Sequence, residues 1–310
     1  LAMKTTALSL NLLVAGIGTA LFLKAGRLSW RNVWPFASLG WLTSIIQRAE
    51  ASQTRINEFL HEQPEIINEN HQDFNFRGKI EFRNVTFTYE GANEPAINNL
   101  SFTILPGETV AFVGRTASGK STILKLLMRQ VEPQQGEILI DDQPLNSINL
   151  DLFRDQAGIV PQEVFLFSDT IANNIRFGTN HPVSDEEVFK ATEYAYVRHN
   201  IEAFDDGFNT VLGERGVNLS GGQKQRVSIA RALIRKPKLL LLDDCLSAVD
   251  TETEEIILKH LKEDQHVIDT IIVSHRISSL RNAQKIIVLD NGEKVEEGSH
   301  ENLISIDGVY

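Results

Sequence analysis

A single cysteine, Cys245, leaves no partner for an internal disulfide, which suits a reducing compartment without requiring one, and no Cys/His pattern with zinc-ligand spacing occurs. Cations are also in short supply: 30 Lys and Arg stand against 41 Asp and Glu, a formal net charge of -11. Phosphate backbones are gripped by clustered cations and repelled by an acidic surface at long range. The balance therefore disfavours a nucleic-acid partner, while leaving room for a local basic groove. A mean hydropathy of -0.14 is too low for a chain made mostly of membrane helix. Internal repeats and low-complexity tracts are absent too, and 42% apolar with 23% charged residues is globular rather than disordered composition. With 310 residues the chain has room for about two domains.

What is present divides near residue 78. Thr5 to Leu23 carries no charge and is bracketed by Lys4 and Lys24. About 19 residues rising roughly 1.5 Å each reach nearly the ~30 Å of a bilayer's hydrocarbon core. A buried core helix and a signal-peptide apolar region are the other readings. A second uncharged stretch, Asn32 to Gln47, is short for a span and contains Pro35, while Trp30, Trp34 and Trp41 suit a membrane–water interface. Gln47 to Leu60 reads as a polar helix emerging into water, with Ile56, Phe59 and Leu60 on one side. Residues 1–61 are thus expected to hold one or two membrane helices. Residues 62–78, polar and containing Pro64 and Gly78, are expected to form a linker.

From Lys79 the pattern becomes that of an α/β domain. Ile80 and Phe82 alternate, then Val85, Phe87 and Tyr89 alternate in shifted register, which predicts a bulge near Arg83-Asn84. Leu100, Phe102 and Ile104 alternate and stop at the turn pair Pro106-Gly107. These are half-exposed antiparallel strands. Val110–Val113, Leu239–Leu242 and Ile271–Val273 are instead continuous apolar runs, as expected of strands buried on both faces of a parallel sheet. Ile286–Leu289, Asp290-Asn291-Gly292 and Glu293–Val295 read as a closing hairpin. The acids Asp185, Glu186 and Glu187 mark a helix start, and Cys245 reads as a small buried filler.

Gly114-Arg115-Thr116-Ala117-Ser118-Gly119-Lys120-Ser121 fits G-x-x-x-x-G-K-[ST], with the strand ETVAFV before it and a helix carrying Ile123, Leu124, Leu126 and Leu127 after it. Glycines let such a backbone curl until its N–H groups converge on phosphate oxygens, aided by the helix N-terminus. Lys120 is placed to reach the β- and γ-phosphates and the Ser121 hydroxyl to ligate Mg²⁺. A second strand, Leu239–Leu242, ends in the carboxylates Asp243 and Asp244, at the strand end where ligands of α/β sheets collect. Two like charges there are costly unless a cation compensates, and Mg²⁺–ATP would supply one.

At Leu219-Ser220-Gly221-Gly222-Gln223 the chain resembles ATP-binding cassette (ABC) transporters, whose signature is LSGGQ, and residues 212–226, LGERGVNLSGGQKQR, are similar to the exporter branch in particular. The resemblance covers Lys79 to Tyr310 in full and the region before it in part. It implies a P-loop NTPase domain over residues 79–310, a mixed sheet with an antiparallel subdomain and a helical subdomain. It also implies an enzyme that hydrolyses ATP with Mg²⁺ to drive export. Tyr89 resembles the aromatic platform for adenine; Gly114 to Lys120, Ser121 and Thr122 resemble the phosphate cradle. Asp243, with Ser121 and Gln162, matches the Mg²⁺ set; Gln162, in GIVPQEVFLF, also meets the attacking water and senses the membrane domain. Ser247-Ala248-Val249-Asp250 resembles the D-loop at the dimer seam, and His275, in IIVSHR, the switch histidine. In such proteins two nucleotide-binding domains close head to tail, so Ser220, Gly221, Gly222 and Gln223 would act on a nucleotide held by the partner.

Two departures stand out. The residue after the Mg²⁺ aspartate is usually glutamate in the family, acting as catalytic base; here it is Asp244. That implies an own site that turns over slowly and favours a heterodimer over a homodimer. The front also has room for only one membrane helix and a shortened second, where exporter half-transporters carry six. SLGWLTSIIQRAEASQTRINEFL looks like the last helix and its extension. The chain is thus expected to be the C-terminal part of an exporter subunit, or a product that lost its front, with its nucleotide-binding domain on the cytoplasmic side of a plasma or inner membrane. The cargo is not readable. A soluble ABC ATPase acting on nucleic acid and a truncated non-transporting regulator stay open as alternatives.

Overall fold

The computed structural model describes residues 30–216, 218–263, 267, 269–306 and 308–310. The Thr5–Leu23 stretch lies outside the described residues. The chain divides into two compact units, one ending at Glu65 and one spanning Ile66–Tyr310.

In the first unit, Trp30–His61 is one continuous helix, joining two segments that the sequence reading kept apart. Trp34, Trp41 and Phe59 on it are exposed. Among the described residues no helix is long and apolar enough to cross a membrane.

The second unit is built on two sheets. The strands are β1 (Ile80–Phe87), β2 (Ile97–Ile104), β3 (Thr109–Gly114), β4 (Gln135–Ile140), β5 (Gln143–Pro144), β6 (Ala157–Val160), β7 (Leu239–Asp243), β8 (Asp269–Val273), β9 (Lys285–Asp290) and β10 (Glu293–Gly298). An antiparallel sheet runs β2-β1-β4-β5, and a larger sheet runs β10-β9-β3-β8-β7-β6. In the larger sheet all neighbours are parallel except the β9–β10 hairpin, which turns at Asn291-Gly292 as its sequence predicts. Residues of β7 and β8 are buried on both faces, which is why they read as unbroken apolar runs. The register of β1 slips between Phe82 and Val85 against β2, where Asn84 adopts a left-handed backbone and its N–H bonds the Ser101 hydroxyl at 2.8 Å. One apolar core lies between the two sheets around Phe82, Phe102 and Phe112, with the helix Lys120–Leu127 closing it. A second core gathers the short helices Ile171–Arg176, Asp185–Tyr194 and Arg198–Glu202 around Gly221–Leu233. Ser184 caps the second of these in a reciprocal box with Glu187, and the three acids occupy its first turn.

The expected linker needs correction. Residues from Ile66 onward belong to the second unit, so the boundary falls at residue 66 rather than 79. Phe76 is 1% exposed, and Phe74 and Phe76 meet the ring of Phe153 edge-on with centroids 6.0 and 5.9 Å apart. Some of the polar groups around them are tied to the second unit as well. Asn68 donates to Asn149 and Asp151, and Gln156 accepts from the Phe76 N–H at 3.0 Å. Two phenylalanines with partnered amides anchor the segment despite its polar composition.

Candidate active site

Parallel pairing sets the site. Register places Phe112 beside Val273, and Val273 beside Asp243, so β3, β7 and β8 end at one edge of the sheet. Gly114, Asp243-Asp244 and Ser274-His275 therefore emerge side by side. A cavity of about 580 Å³ opens there. It is lined by the loop residues 116–122 together with Tyr89, Gln162, Asp243, Asp244 and His275. The own-chain residues singled out from the sequence thus converge, with Gly114 and Arg115 leading into the loop from β3.

The loop curls tightly. Gly119 has φ 96°, and a Cβ there would stand 2.5 Å from the Ala96 carbonyl oxygen, so only glycine fits. The helix Lys120–Leu127 begins without any side chain capping its first turn, which leaves its amides and positive end to a ligand. The Lys120 ammonium donates to the carbonyls of Gly114 (2.8 Å) and Arg115 (2.7 Å) and to the Ser118 hydroxyl (3.3 Å). Burial pulls its pKa below the usual lysine range, while the Asp244 and Asp243 carboxylates hold it up.

Ser121 Oγ donates to Asp243 Oδ1 at 2.9 Å. Burial pushes the Asp243 carboxyl above its ordinary range; the Ser121 bond opposes this and the Asp244 charge adds to it. A divalent cation would relieve the desolvated Asp243 carboxyl and the neighbouring Asp244 charge. Its first donors here, a hydroxyl and a carboxylate, are the hard oxygens Mg²⁺ takes. Among the described residues no cluster of three or more His, Cys, Asp or Glu could hold a metal by itself. Mg²⁺ that keeps one or two protein oxygens and draws the rest from phosphates and water fits this set.

Asp244 has a left-handed backbone (φ 45°) clamped from both sides: its N–H donates to the Val273 carbonyl at 2.8 Å, and its carbonyl accepts from the Ser247 hydroxyl at 2.9 Å. Tyr89 is half open to solvent, with its hydroxyl 3.2 Å from Thr122 Oγ1, so it faces the cavity and not the core.

Ser220, Gly221, Gly222 and Gln223 do not line this cavity. They start the helix Gly221–Leu233 through a capping box: the Ser220 hydroxyl accepts from the Gln223 N–H (3.3 Å), and the Gln223 side chain accepts from the Ser220 N–H (2.9 Å). That arrangement leaves the Ser220 O–H free to donate outward. Gly222 lies against the turn Ser247–Asp250, where a Cβ would be 2.8 Å from the Ala248 carbonyl oxygen.

Sequence reasoning missed the groups that hold this turn. Gln225 accepts from the Ala248 N–H at 3.0 Å and donates to the Ser247 hydroxyl at 3.3 Å. Arg276 donates to the carbonyls of Val249 (2.6 Å), Leu246 (3.4 Å) and Ser247, and lies 3.6 Å from the fully buried Glu254. One signal was available. Gln225 falls at the i, i+3, i+4, i+7 positions of the buried stripe it shares with Ser228, Ile229 and Ala232, and a polar side chain on a buried face needs a partner. Arg276 carries no comparable signal.

Residues 97–247 match the family model described as ABC transporter. The chain is similar to an ATP-dependent lipid A-core flippase of Pasteurella multocida (strain Pm70), 42% identical over 276 residues that make up 89% of this chain and 47% of that protein. It is likewise similar to a protein of Bacillus subtilis (strain 168) named for multidrug resistance, 40% identical over 279 residues, 90% of this chain and 48% of that one. Among solved structures, one titled as a bacterial Atm1-family ABC exporter with ATP bound aligns with TM-score 0.81 at 36% identity, covering 90% of this chain and 49% of that chain. The chain spans about half the length of the curated relatives it matches.

Proposed function

We propose that this chain, similar to ABC transporters through its nucleotide-binding domain, binds and hydrolyses ATP in the cavity at the ends of β3, β7 and β8. We propose further that pairing with a second nucleotide-binding domain, its own copy or a different subunit, couples hydrolysis to export across a membrane. The observation that carries the reading is the convergence of the uncapped loop 114–122 with Asp243, Asp244, Gln162 and His275 around one cavity.

In this reading the loop amides and Lys120 grip the β- and γ-phosphates. Ser121 and Asp243, with Gln162, would hold Mg²⁺, which when bound would supply neutralisation of phosphate charge. Asp244 accepts a proton from the attacking water, and His275 contacts the γ-phosphate. Ser220 to Gln223, set apart from this cavity, cover the nucleotide held by the partner, with the O–H of Ser220 and the positive end of the helix Gly221–Leu233 directed at its phosphates. Phe165, Phe167 and Phe177, exposed just beyond Gln162, are the surface through which a membrane domain would sense the site. The cargo is left open, since the relatives' names point to both lipid A-core and drugs. Membrane attachment follows the exporter relatives, with the nucleotide-binding domain on the cytoplasmic side.

Asp244 in place of glutamate supports the finer proposal that this chain's own site turns over slowly and that its intact signature completes a faster site on a different subunit. The acidic charge of -11 sits poorly with the nucleic-acid alternative. The test is Lys120→Ala in the full chain: ATP binding, read by calorimetry, is expected to disappear along with turnover. Unchanged affinity would overturn the reading.

A further inference from the structure

Lys125 has no role in the reading above, yet it lies one turn beyond Ser121 on the helix Lys120–Leu127, on the same helical face. Its ammonium is 3.5 Å from the Tyr89 phenol oxygen but 5.4 Å from the ring centroid. The cation therefore sits toward the hydroxyl end of the ring rather than above its centre. On its other side the phenol oxygen is 3.2 Å from Thr122 Oγ1. An ammonium can only donate, so Lys125 donates to the Tyr89 oxygen, while between Tyr89 and Thr122 either hydroxyl can be the donor. The third restraint is Phe87, whose ring meets that of Tyr89 edge-on at 84° with centroids 4.8 Å apart. Tyr89 is at the same time an exposed aromatic, at 36% relative exposure.

We propose that Lys125 is a positioning and specificity-determining residue for the nucleobase. Through the hydroxyl chain Lys125–Tyr89–Thr122 it holds the Tyr89 ring in the plane that a planar base stacks upon. This rests on the reading that ATP is the ligand of the cavity. A platform pinned before the ligand arrives loses less rotational freedom on binding, so the pin raises affinity for ligands that carry a base and does nothing for those that do not. Lys125 is exposed, so replacing it leaves the core untouched.

The experiment measures binding of ATP and of inorganic tripolyphosphate to the full chain in detergent, for wild type and for Lys125→Met, which keeps the aliphatic stem and removes the charge. ATP affinity is expected to fall about tenfold, a fraction of what base–aromatic stacking supplies. Tripolyphosphate affinity should stay unchanged, KM for ATP should rise at constant kcat, and Lys125→Arg should restore the affinity. In a Tyr89→Ala background Lys125→Met should have no further effect. An equal loss for both ligands would make Lys125 a phosphate ligand and overturn the proposal, as would unaltered ATP affinity. Wild-type chain that fails to bind ATP at all would overturn the ATP reading itself, and this inference with it.

Discussion

At the scale of single residues, Asp244 is the sharpest departure and the easiest to test. Its main chain is held by the Val273 carbonyl on one side and the Ser247 hydroxyl on the other, which opposes a backbone shift that would make up the missing methylene. The carboxylate stops short by about 1.5 Å, roughly one C–C bond, and a displacement near 1 Å at a reacting centre can cost on the order of 10²-fold in rate. Asp244→Glu is therefore expected to raise the ATP turnover of the isolated chain by about that factor, with nucleotide affinity little changed. Equal rates would sink the slow-site idea. The left-handed φ tolerates Asp more readily than Glu, which costs about 1 kcal/mol of stability at such a position without touching the chemistry.

At the scale of elements, the phosphate loop, the two-carboxylate strand and the LSGGQ turn were legible because each carries its chemistry in adjacent residues. The alternation in β1, its slip near Asn84 and the β9–β10 hairpin were legible for the same reason, since they follow from a period of two and a turn pair. The segment 66–78 was not. Its composition is polar, and the fact that decides its fate, the fit of Phe74 and Phe76 against Phe153 some eighty residues away, is tertiary. The clamps of Gln225 and Arg276 on the turn Ser247–Asp250, and the reach of Lys125 to Tyr89, are likewise long-range and had no local trace beyond the one polar position on a buried stripe. The segment's new standing is measurable. Phe76→Ala is expected to destabilise the second unit by about 3–5 kcal/mol, the range for emptying a buried aromatic site. A change below about 0.5 kcal/mol in chemical denaturation, typical of an exposed position, would return the segment to the status of a linker.

At the scale of the whole molecule, the separation of the signature from the chain's own cavity is what, in the proposed reading, assigns it to a partner's nucleotide. Ser220→Asp keeps a good helix cap but, in that reading, would face the partner's phosphate with a carboxylate, whereas Lys120→Ala would disable the loop and spare the signature. Neither chain alone should turn over ATP when paired with itself. A mixture of the two should regain activity, because one of its two sites would join an intact loop to an intact signature. No recovery on mixing, with mixed dimers present by cross-linking, would place both halves of the site on one chain.

The turn Ser247–Asp250 is clasped by Gln225 from the signature helix and by Arg276 from the segment that carries His275. Two grips on one short stretch of main chain work like a pair of meshed cogs. Under the proposed function, this clasp would tie the signature offered to a partner to the histidine beside the chain's own nucleotide.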